Sequence, residues 1–344
     1  MKTTIRMIHS DSLSCEPIVR RMPDGSLLCV SQVGDVTEPA PGNRVKTFRS
    51  MDDGDTWKTP QPVYPETGEA VYVTEMNVVD GVVRVYLEVH SGRFLNMRCV
   101  VMESRDSGHT WTDAGSPPFF PAFTFFRGLL QLRDGARLLP YQHMPVSPEE
   151  NARLVIANHN IADFRQQKAV WDADVYAIQN GVIRWDAGCD TPTLCKGPDT
   201  PVKGRSGRSW NWSEPTLAEL PNDGVAMLLR VNGSGCLWRS DSHDGGRAWE
   251  EATPTNIPNP GNKPKLLNLP DGRIALLHTP DPKRRYPIAL WLSDDGMKTW
   301  GDKRVVSDFP NRYDYPDGFS EGGDIRFTIE INRHEILFFR LEGV

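Results

Sequence analysis

The chain is expected to fold as an all-β protein, a six-bladed β-propeller whose ring is closed by its own N-terminal strand. Three observations carry this expectation. A short hairpin motif recurs along the chain, and an alternating strand running into a polar turn recurs between its copies. The composition, with 10 Trp, 29 Gly and 28 Pro in 344 residues, is that of a turn-rich β protein. Two ordinary domains would fit this length, but closed all-β folds often spend it on one. The repeats keep one register throughout, so residues 1–344 read as a single domain. The Gly/Pro-rich stretch from Cys189 to Arg208 reads as a long loop between blades rather than a linker.

The hairpin motif is Ser-x-Asp-x-Gly-x-Thr-Trp, an Asp box. It stands at Ser50 to Trp57 and Ser104 to Trp111, at Ser242 to Trp249 with Ala248 in place of Thr, and at Ser293 to Trp300 with its Gly moved one place. With that last copy as template, Ile178 to Trp185 reads as a degraded fifth box carrying Asn180 for Asp. The box Asp and Trp residues are expected to pin outer hairpins rather than to do chemistry.

The second repeat sets the blades. Pro17 precedes Pro23-Asp24-Gly25 by the step that separates Pro215 from Pro221-Asn222 and Pro264 from Pro270-Asp271-Gly272. Tyr72 and Phe126 keep the register ahead of Asp80-Gly81 and Asp134-Gly135, and Tyr315-Pro316 keeps it ahead of Gly322-Gly323. Inner strands therefore begin near 16, 72, 126, 214, 263 and 315, with one box after each of the first five. The stretch from Trp212 to Trp249 is one complete unit. The sixth unit has no box, but Ile325 to Leu341 supplies two strands and the N-terminal TTIRMIH a further one. Such closure removes exposed sheet edges.

Composition excludes several classes. A net charge of −6 and a pI near 5.8 give no basic field for nucleic acid. No stretch reaches membrane-spanning length, and MKTTIRMIHSDS has no apolar core of signal-peptide length, so a cytoplasmic product is expected. The six cysteines show no metal spacing and read as reduced thiols, Cys189 and Cys195 alone being near enough in sequence for a disulfide. Neither a metal nor a cofactor is expected, and the spacing says nothing of oligomeric state.

Each innermost strand of a propeller begins near the axis. The residues at those starts, Glu16, Tyr72, Phe126, Glu214, Lys263 and Tyr315, are therefore expected to ring one mouth of the channel. Two acids, a base and three aromatics suit a carbohydrate, whose ring faces stack on aromatics while polar groups fix its hydroxyls. A one-residue slip would turn any of them to the other face.

The boxes, the runs EPTLAELPNDG and NPGNKPKLLNLPDGRIALL, and the late Tyr315-Pro316-Asp317 together resemble the sialidase (neuraminidase) superfamily, the bacterial BNR-repeat propellers. The resemblance covers nearly the whole chain. It implies an exo-acting glycoside hydrolase that removes a terminal sugar from a glycan or oligosaccharide. By the same resemblance Tyr315 is the nucleophile, with Tyr313 the fallback in NRYDYPDG, and Glu214 is the base that takes its proton. A neutral phenol attacks poorly unless a carboxylate deprotonates it. Arg230 and Arg285 match two of the arginines that grip the substrate carboxylate, since a guanidinium fork pairs bidentately with it. Lys263 and Glu16 would tune which sugar is held. Asp35, with Glu38 as second choice, is the acid/base of the loop ahead of the first box.

The chain departs from the family at its first inner strand, where Cys15-Glu16-Pro17 replaces Arg-Ile-Pro. The first clamp arginine is absent and Arg20 and Arg21 lie out of register, so the substrate need not be sialic acid. His143, expected in the cleft beside Tyr141, and His90 carry an alternative, a lyase acting on uronate-containing glycans. A glycan-binding propeller without catalysis is the third reading.

Overall fold

The computed structural model describes residues 1–163, 166, 178–199 and 212–344. Strand β1 (Lys2–Ser10) comes first in sequence and lies last in the ring. The first blade is β2 (Ser14–Arg21), β3 (Leu27–Val33), β4 (Arg44–Ser50) and β5 (Gln61–Pro62). The second is β6 (Ala70–Val79), β7 (Val82–His90), β8 (Arg98–Ser104) and β9 (Thr112–Asp113). In the third, two short inner pieces, β10 (Thr124–Phe126) and β11 (Leu130–Gln131), both pair with β12 (Arg137–His143). Helix α1 (Pro148–Asn158), capped by Ser147 accepting from the Glu150 N–H, then precedes β13 (Gln179–Trp185) and β14 (Thr193–Lys196). The fourth holds β15 (Thr216–Glu219), β16 (Val225–Arg230), β17 (Cys236–Ser242) and β18 (Thr253–Pro258). The fifth holds β19 (Lys265–Asn268), β20 (Ile274–His278), β21 (Ile288–Ser293) and β22 (Asp302–Ser307).

The sixth blade is β23 (Tyr313–Glu321), β24 (Asp324–Ile331) and β25 (Glu335–Glu342), with β1 antiparallel to β25 from Lys2 opposite Glu342 to Ser10 opposite Glu335. The ring closes as the sequence predicts, and each inner strand begins within two residues of its expected start. Among the described residues, apolar clusters fill the gap between every pair of neighbouring blades. Each sheet thus buries both faces, and the axis is left to polar side chains. No described helix is long and apolar enough to cross a membrane.

The Asp boxes close the hairpins between third and fourth strands by the same bonds. In the first, the Ser50 hydroxyl donates to Asp52 at 2.8 Å and accepts from the Gly54 N–H. Asp52 in turn accepts from the Thr56 N–H at 2.9 Å and the Thr56 hydroxyl at 2.6 Å, and the Trp57 indole donates to the Gly54 carbonyl. These donors, the Thr56 hydroxyl foremost, hold the Asp52 pKa down at about 2, and its carboxylate points into its own turn. Gly54 lies at φ +94°, and a Cβ there would stand 2.1 Å from the Phe338 ring of the neighbouring blade.

The expected fifth box is corrected by the structure. Gln179 to Trp185 is a full strand paired on both sides, with β12 and β14, so Asn180 and Gly181 lie inside a ladder. Where the third strands of the first, second, fourth and fifth blades end on the box serine, this one ends on Trp185 and turns through Asp186 without a Ser-x-Asp to close it. Cys189 and Cys195 are both free thiols. The expected loop from Cys189 to Arg208 is interrupted by β14, which pairs with β13 as the fourth strand of the blade, and from residue 200 onward it lies outside the described residues.

Candidate active site

Pleated strands alternate their side chains between faces, so aiming one at the axis from a strand buried on both sides needs a local break. The inner strands supply it. Register shifts interrupt β2 between Cys15 and Ile18, β6 between Val73 and Glu75, and β23 between Asp314 and Asp317. Glu16, Glu214 and Tyr315 lie at φ 53°, 35° and 56°, each directly before a proline. A residue before proline is ordinarily extended. Left-handed backbone at three such positions is the strain that bulges use to re-aim side chains.

Glu16 and Glu214 meet around Arg127, which is almost wholly buried. Its guanidinium lies 3.2 Å from Glu16 and 3.7 Å from Glu214. Arg230 Nη1 donates to Glu214 at 2.7 Å and stands 3.4 Å from the Tyr315 hydroxyl. Lys263 lies over the Tyr315 ring, 5.9 Å from its centroid, and 3.9 Å from Glu16 and from Asp317. Farther along the axis Asp317 pairs with Arg20 and Lys265, and Arg20 with Glu75 at 3.2 Å. A buried ion network therefore fills the axis between its two mouths.

The network sorts the acids. Burial drives the Glu16 carboxyl up, and Arg127 and Lys263 offset this only in part. At Glu214 burial is outweighed by Arg230 and Arg127, which hold its pKa below the usual value, so it is a carboxylate at neutral pH. Burial, reinforced by the Glu214 charge, lifts the Tyr315 phenol far above its usual range and keeps it neutral.

Above this floor lies a pocket of about 210 Å³. One wall is aromatic, of Tyr72, Phe94 and Trp212, with Tyr72 edge-on to Phe94 at 5.8 Å. The lining also carries Arg230, Arg285, Arg312 and Arg333, together with Glu214 and Tyr315. Arg285 is held by Asp314 and by the Gly261 carbonyl at 2.7 Å, and Asp314 also pairs with Arg312. Glu38 enters from the first blade and pairs with Arg333, leaving its Oε1 without a partner among the described residues.

Tyr315, Glu214, Arg230, Arg285 and Tyr72 thus meet at one pocket, with Glu16 and Lys263 beneath it. Five candidate residues stand elsewhere. Phe126 packs between the second and third blades against Tyr86, and its neighbour Arg127 is the residue that turns to the axis. His143 bonds the Thr124 hydroxyl at 2.8 Å and lies against Phe120, away from the pocket wall; burial lowers its pKa to about 4. Asp35 turns into its own loop, accepting from the Val36 N–H at 2.7 Å and the Gly42 N–H at 3.0 Å, so Glu38 is the acid of that loop that faces the pocket. Tyr313 bonds Ser307 at 2.7 Å and sits in the core between the fifth and sixth blades. His90 is buried as a neutral acceptor of the Gly92 N–H at 3.0 Å, with burial lowering its pKa to about 3. Among the described residues no group of three His, Cys, Asp or Glu side chains could hold a metal ion.

Six blades, Asp-box hairpins and an arginine-lined axial pocket define a sialidase-like propeller. The chain belongs to the BNR repeat-like domain family, whose model matches residues 71–326. Solved structures carry the same fold at low sequence identity. The Hadza microbial sialidase Hz136 superposes with a TM-score of 0.71 at 15% identity, over 98% of this chain and 68% of that one. A protein of unknown function from Dyadobacter fermentans gives 0.70 at 14% identity, over 99% of both chains. A mutant of the NanB sialidase of Streptococcus pneumoniae gives 0.68 at 11%, over 98% of this chain and 70% of that one. Among curated proteins no relative matches.

Proposed function

We propose that the protein is an exo-acting glycoside hydrolase that takes a terminal sugar into the axial pocket. The observation that carries this reading is the convergence of a neutral buried phenol, a carboxylate held ionised and a guanidinium between them, at 2.7 Å from Glu214 and 3.4 Å from Tyr315. In this reading Tyr315 attacks the anomeric carbon as Glu214 takes the phenolic proton. Glu38, on the opposite side of the pocket, protonates the leaving oxygen and then activates the water that releases the sugar. Arg230 steadies charge as it moves from carboxylate to phenolate, and the Tyr72, Phe94 and Trp212 wall stacks against the sugar face. The lyase alternative depends on His143 or His90, and neither lines the pocket.

The test is product analysis with a panel of sialosides, rhamnosides and uronate-containing oligosaccharides. A saturated monosaccharide is expected, and Tyr315→Phe and Glu214→Gln should each lower kcat by about 10²-fold or more. Unchanged turnover in both variants, or an unsaturated uronate product, would refute the assignment.

A further inference from the structure

Each Asp box docks on the blade before it. A Cβ on Gly108 would stand 2.6 Å from Leu28 of the first blade, and one on Gly246 would stand 2.9 Å from Leu138 of the third. A guanidinium of the preceding blade then grips a carbonyl of the box turn. Arg340 holds Asp53 at 3.1 Å, Arg49 holds Ser107 at 2.6 Å, Arg239 holds Met297 at 2.8 Å, and Arg184 holds Gly245. Between the fifth and sixth blades, where the sixth has no box, Arg273 holds the Val344 main-chain oxygen at 2.8 Å, and Val344 packs on the apolar cluster there.

The second and third blades meet without such a hairpin. Trp185 takes the register of the box serine, opposite Arg137 as Ser50 is opposite Leu27. The gripping position changes with it. The first and third blades pair leucine with arginine there, Leu28 with Arg49 and Leu138 with Arg184, whereas the second pairs Arg84 with Glu103 at 3.1 Å. Past the apolar cluster between these blades lies a cleft of about 420 Å³. Tyr86, Arg84 and Glu103 line it from the second blade and Trp185, Arg137 and Asp190 from the third. It shares no lining residue with the axial pocket and lies at the other end of the blade. Tyr72 of the pocket stands near the start of β6, and Val79 of the cleft stands at its end, roughly 20 Å on.

The cleft offers a flat indole among polar groups of both signs. Trp185 is half-buried, and its indole N–H has no acceptor among the described residues. Asp190 is exposed and has no partner among them. The Arg137 guanidinium lies 5.9 Å from the Trp185 ring centroid and reaches Asp80 at 3.8 Å, on a side chain that is itself almost fully exposed. Two guanidinium groups against two carboxylates leave the lining without net charge, so it favours neither an anion nor a cation. We propose that this cleft is a second carbohydrate site, which takes an uncharged pyranose residue of a glycan against Trp185. A pyranose stacks its C–H face on an indole, and its hydroxyls both donate and accept, as a lining of mixed donors and acceptors requires. Asp190, Arg137 and the indole N–H bond those hydroxyls. The inference does not depend on the chemistry of the axial pocket. A glycan held in the cleft keeps further sugars of the same chain or surface near that pocket.

The experiment follows the indole N–H resonances of the 10 tryptophans by NMR as lactose, cellobiose and maltose are added singly. Trp185→Phe and Trp212→Phe identify the resonances that report on the cleft and on the axial pocket. At least one disaccharide should shift the Trp185 resonance saturably, whatever it does at Trp212. Asp190→Ala removes an exposed side chain with no partner to lose, so it should melt like wild type. It should weaken the binding seen at Trp185 by about threefold or more, the scale of one hydrogen bond. A Trp185 resonance that stays in place with all three sugars overturns the inference and leaves the proposed function standing. Movement at Trp212 alone also overturns it and assigns the sugar to the axial pocket. Equal binding by wild type and Asp190→Ala would overturn it too.

Discussion

Replacing Arg127 by methionine removes the cation on which two buried carboxylates depend. The guanidinium stands 3.2 Å from Glu16 and 3.7 Å from Glu214. At an effective dielectric constant of about 20 the two attractions come to about 5 and 4 kcal/mol before desolvation is counted. The net loss on breaking a buried pair from one side is about 3–5 kcal/mol, below that sum because the desolvation cost of the removed cation disappears with it, and still large because its partners are left unsolvated. Glu16, already driven up by burial, limits the damage by taking a proton. A 344-residue chain unfolding as one unit has an entropy near 0.7 kcal/mol per degree, so the melting temperature should fall by about 4–7 °C. Calorimetry or circular dichroism at neutral pH reads this directly. The double variant Glu16→Gln/Arg127→Met, which removes the acid that must otherwise be protonated or left unpaired, should recover part of the loss. A single variant within about 1 °C of wild type, or a double variant below the single, would refute the claim that Arg127 neutralises the floor of the pocket.

Two further outcomes test the scaffold. Glu88 is buried between the second and third blades, accepting from the Thr124 N–H at 2.7 Å and the Cys99 thiol at 2.9 Å, and burial drives its pKa up to about 8. A carboxyl raised in the folded state contributes stability that is complete below its unfolded pKa near 4.5 and is lost as pH rises through about 8. Melting curves should therefore show wild type losing stability between those limits, on the order of a few kcal/mol. Glu88→Gln should flatten that loss, and an equally steep decline would sink the assignment. In the fourth blade's box, Asp244 accepts from the Ala248 N–H but lacks the hydroxyl bond that Thr56, Thr110 and Thr299 each make at 2.6 Å. Ala248→Thr should restore it and stabilise by about 0.5–1 kcal/mol, or about 1 °C; a lower melting temperature would count against the box geometry.

The fold was legible because its signals are local. An Asp box is a closed set of hydrogen bonds within eight residues, so four copies mark four hairpins whatever surrounds them. The misplaced fifth copy, Ile178 to Trp185, shows the limit. A strand ending in Trp imitates the end of a box when the Ser-x-Asp that makes the bonds is missing. Site residues were harder to read because they depend on contacts far apart in sequence. Glu214 and Tyr315 sit on the repeat register and were found there, whereas Arg230 and Arg285 were reached through the family resemblance. Arg127 was missed by one place: the break between β10 and β11 turns it to the axis and sends Phe126 into the core. Arg333 lies in no motif, and its sole trace in the sequence is an arginine where a hairpin after Asn would ordinarily carry glycine. Glu38 and Asp35 occupy one loop, where backbone donors of that loop hold Asp35 and a guanidinium from the sixth blade holds Glu38 at the pocket.

The pairing of β1 with β25 also imposes an order of events in the living cell. Lys2 meets Glu342 across 340 positions of chain, so at ordinary elongation speeds of 5–20 residues per second the first strand waits roughly 20–70 s for its partner. During that wait it is an unpaired edge nine residues long with Ile5 and Met7 exposed even in the finished ring, the kind of segment that neighbouring nascent chains or chaperones capture. Five blades have emerged before the latch has anything to grip. Closure of the ring thus unites the earliest-made strand of the propeller with its latest, and the yield of closed rings depends on how well that early strand is shielded in the meantime.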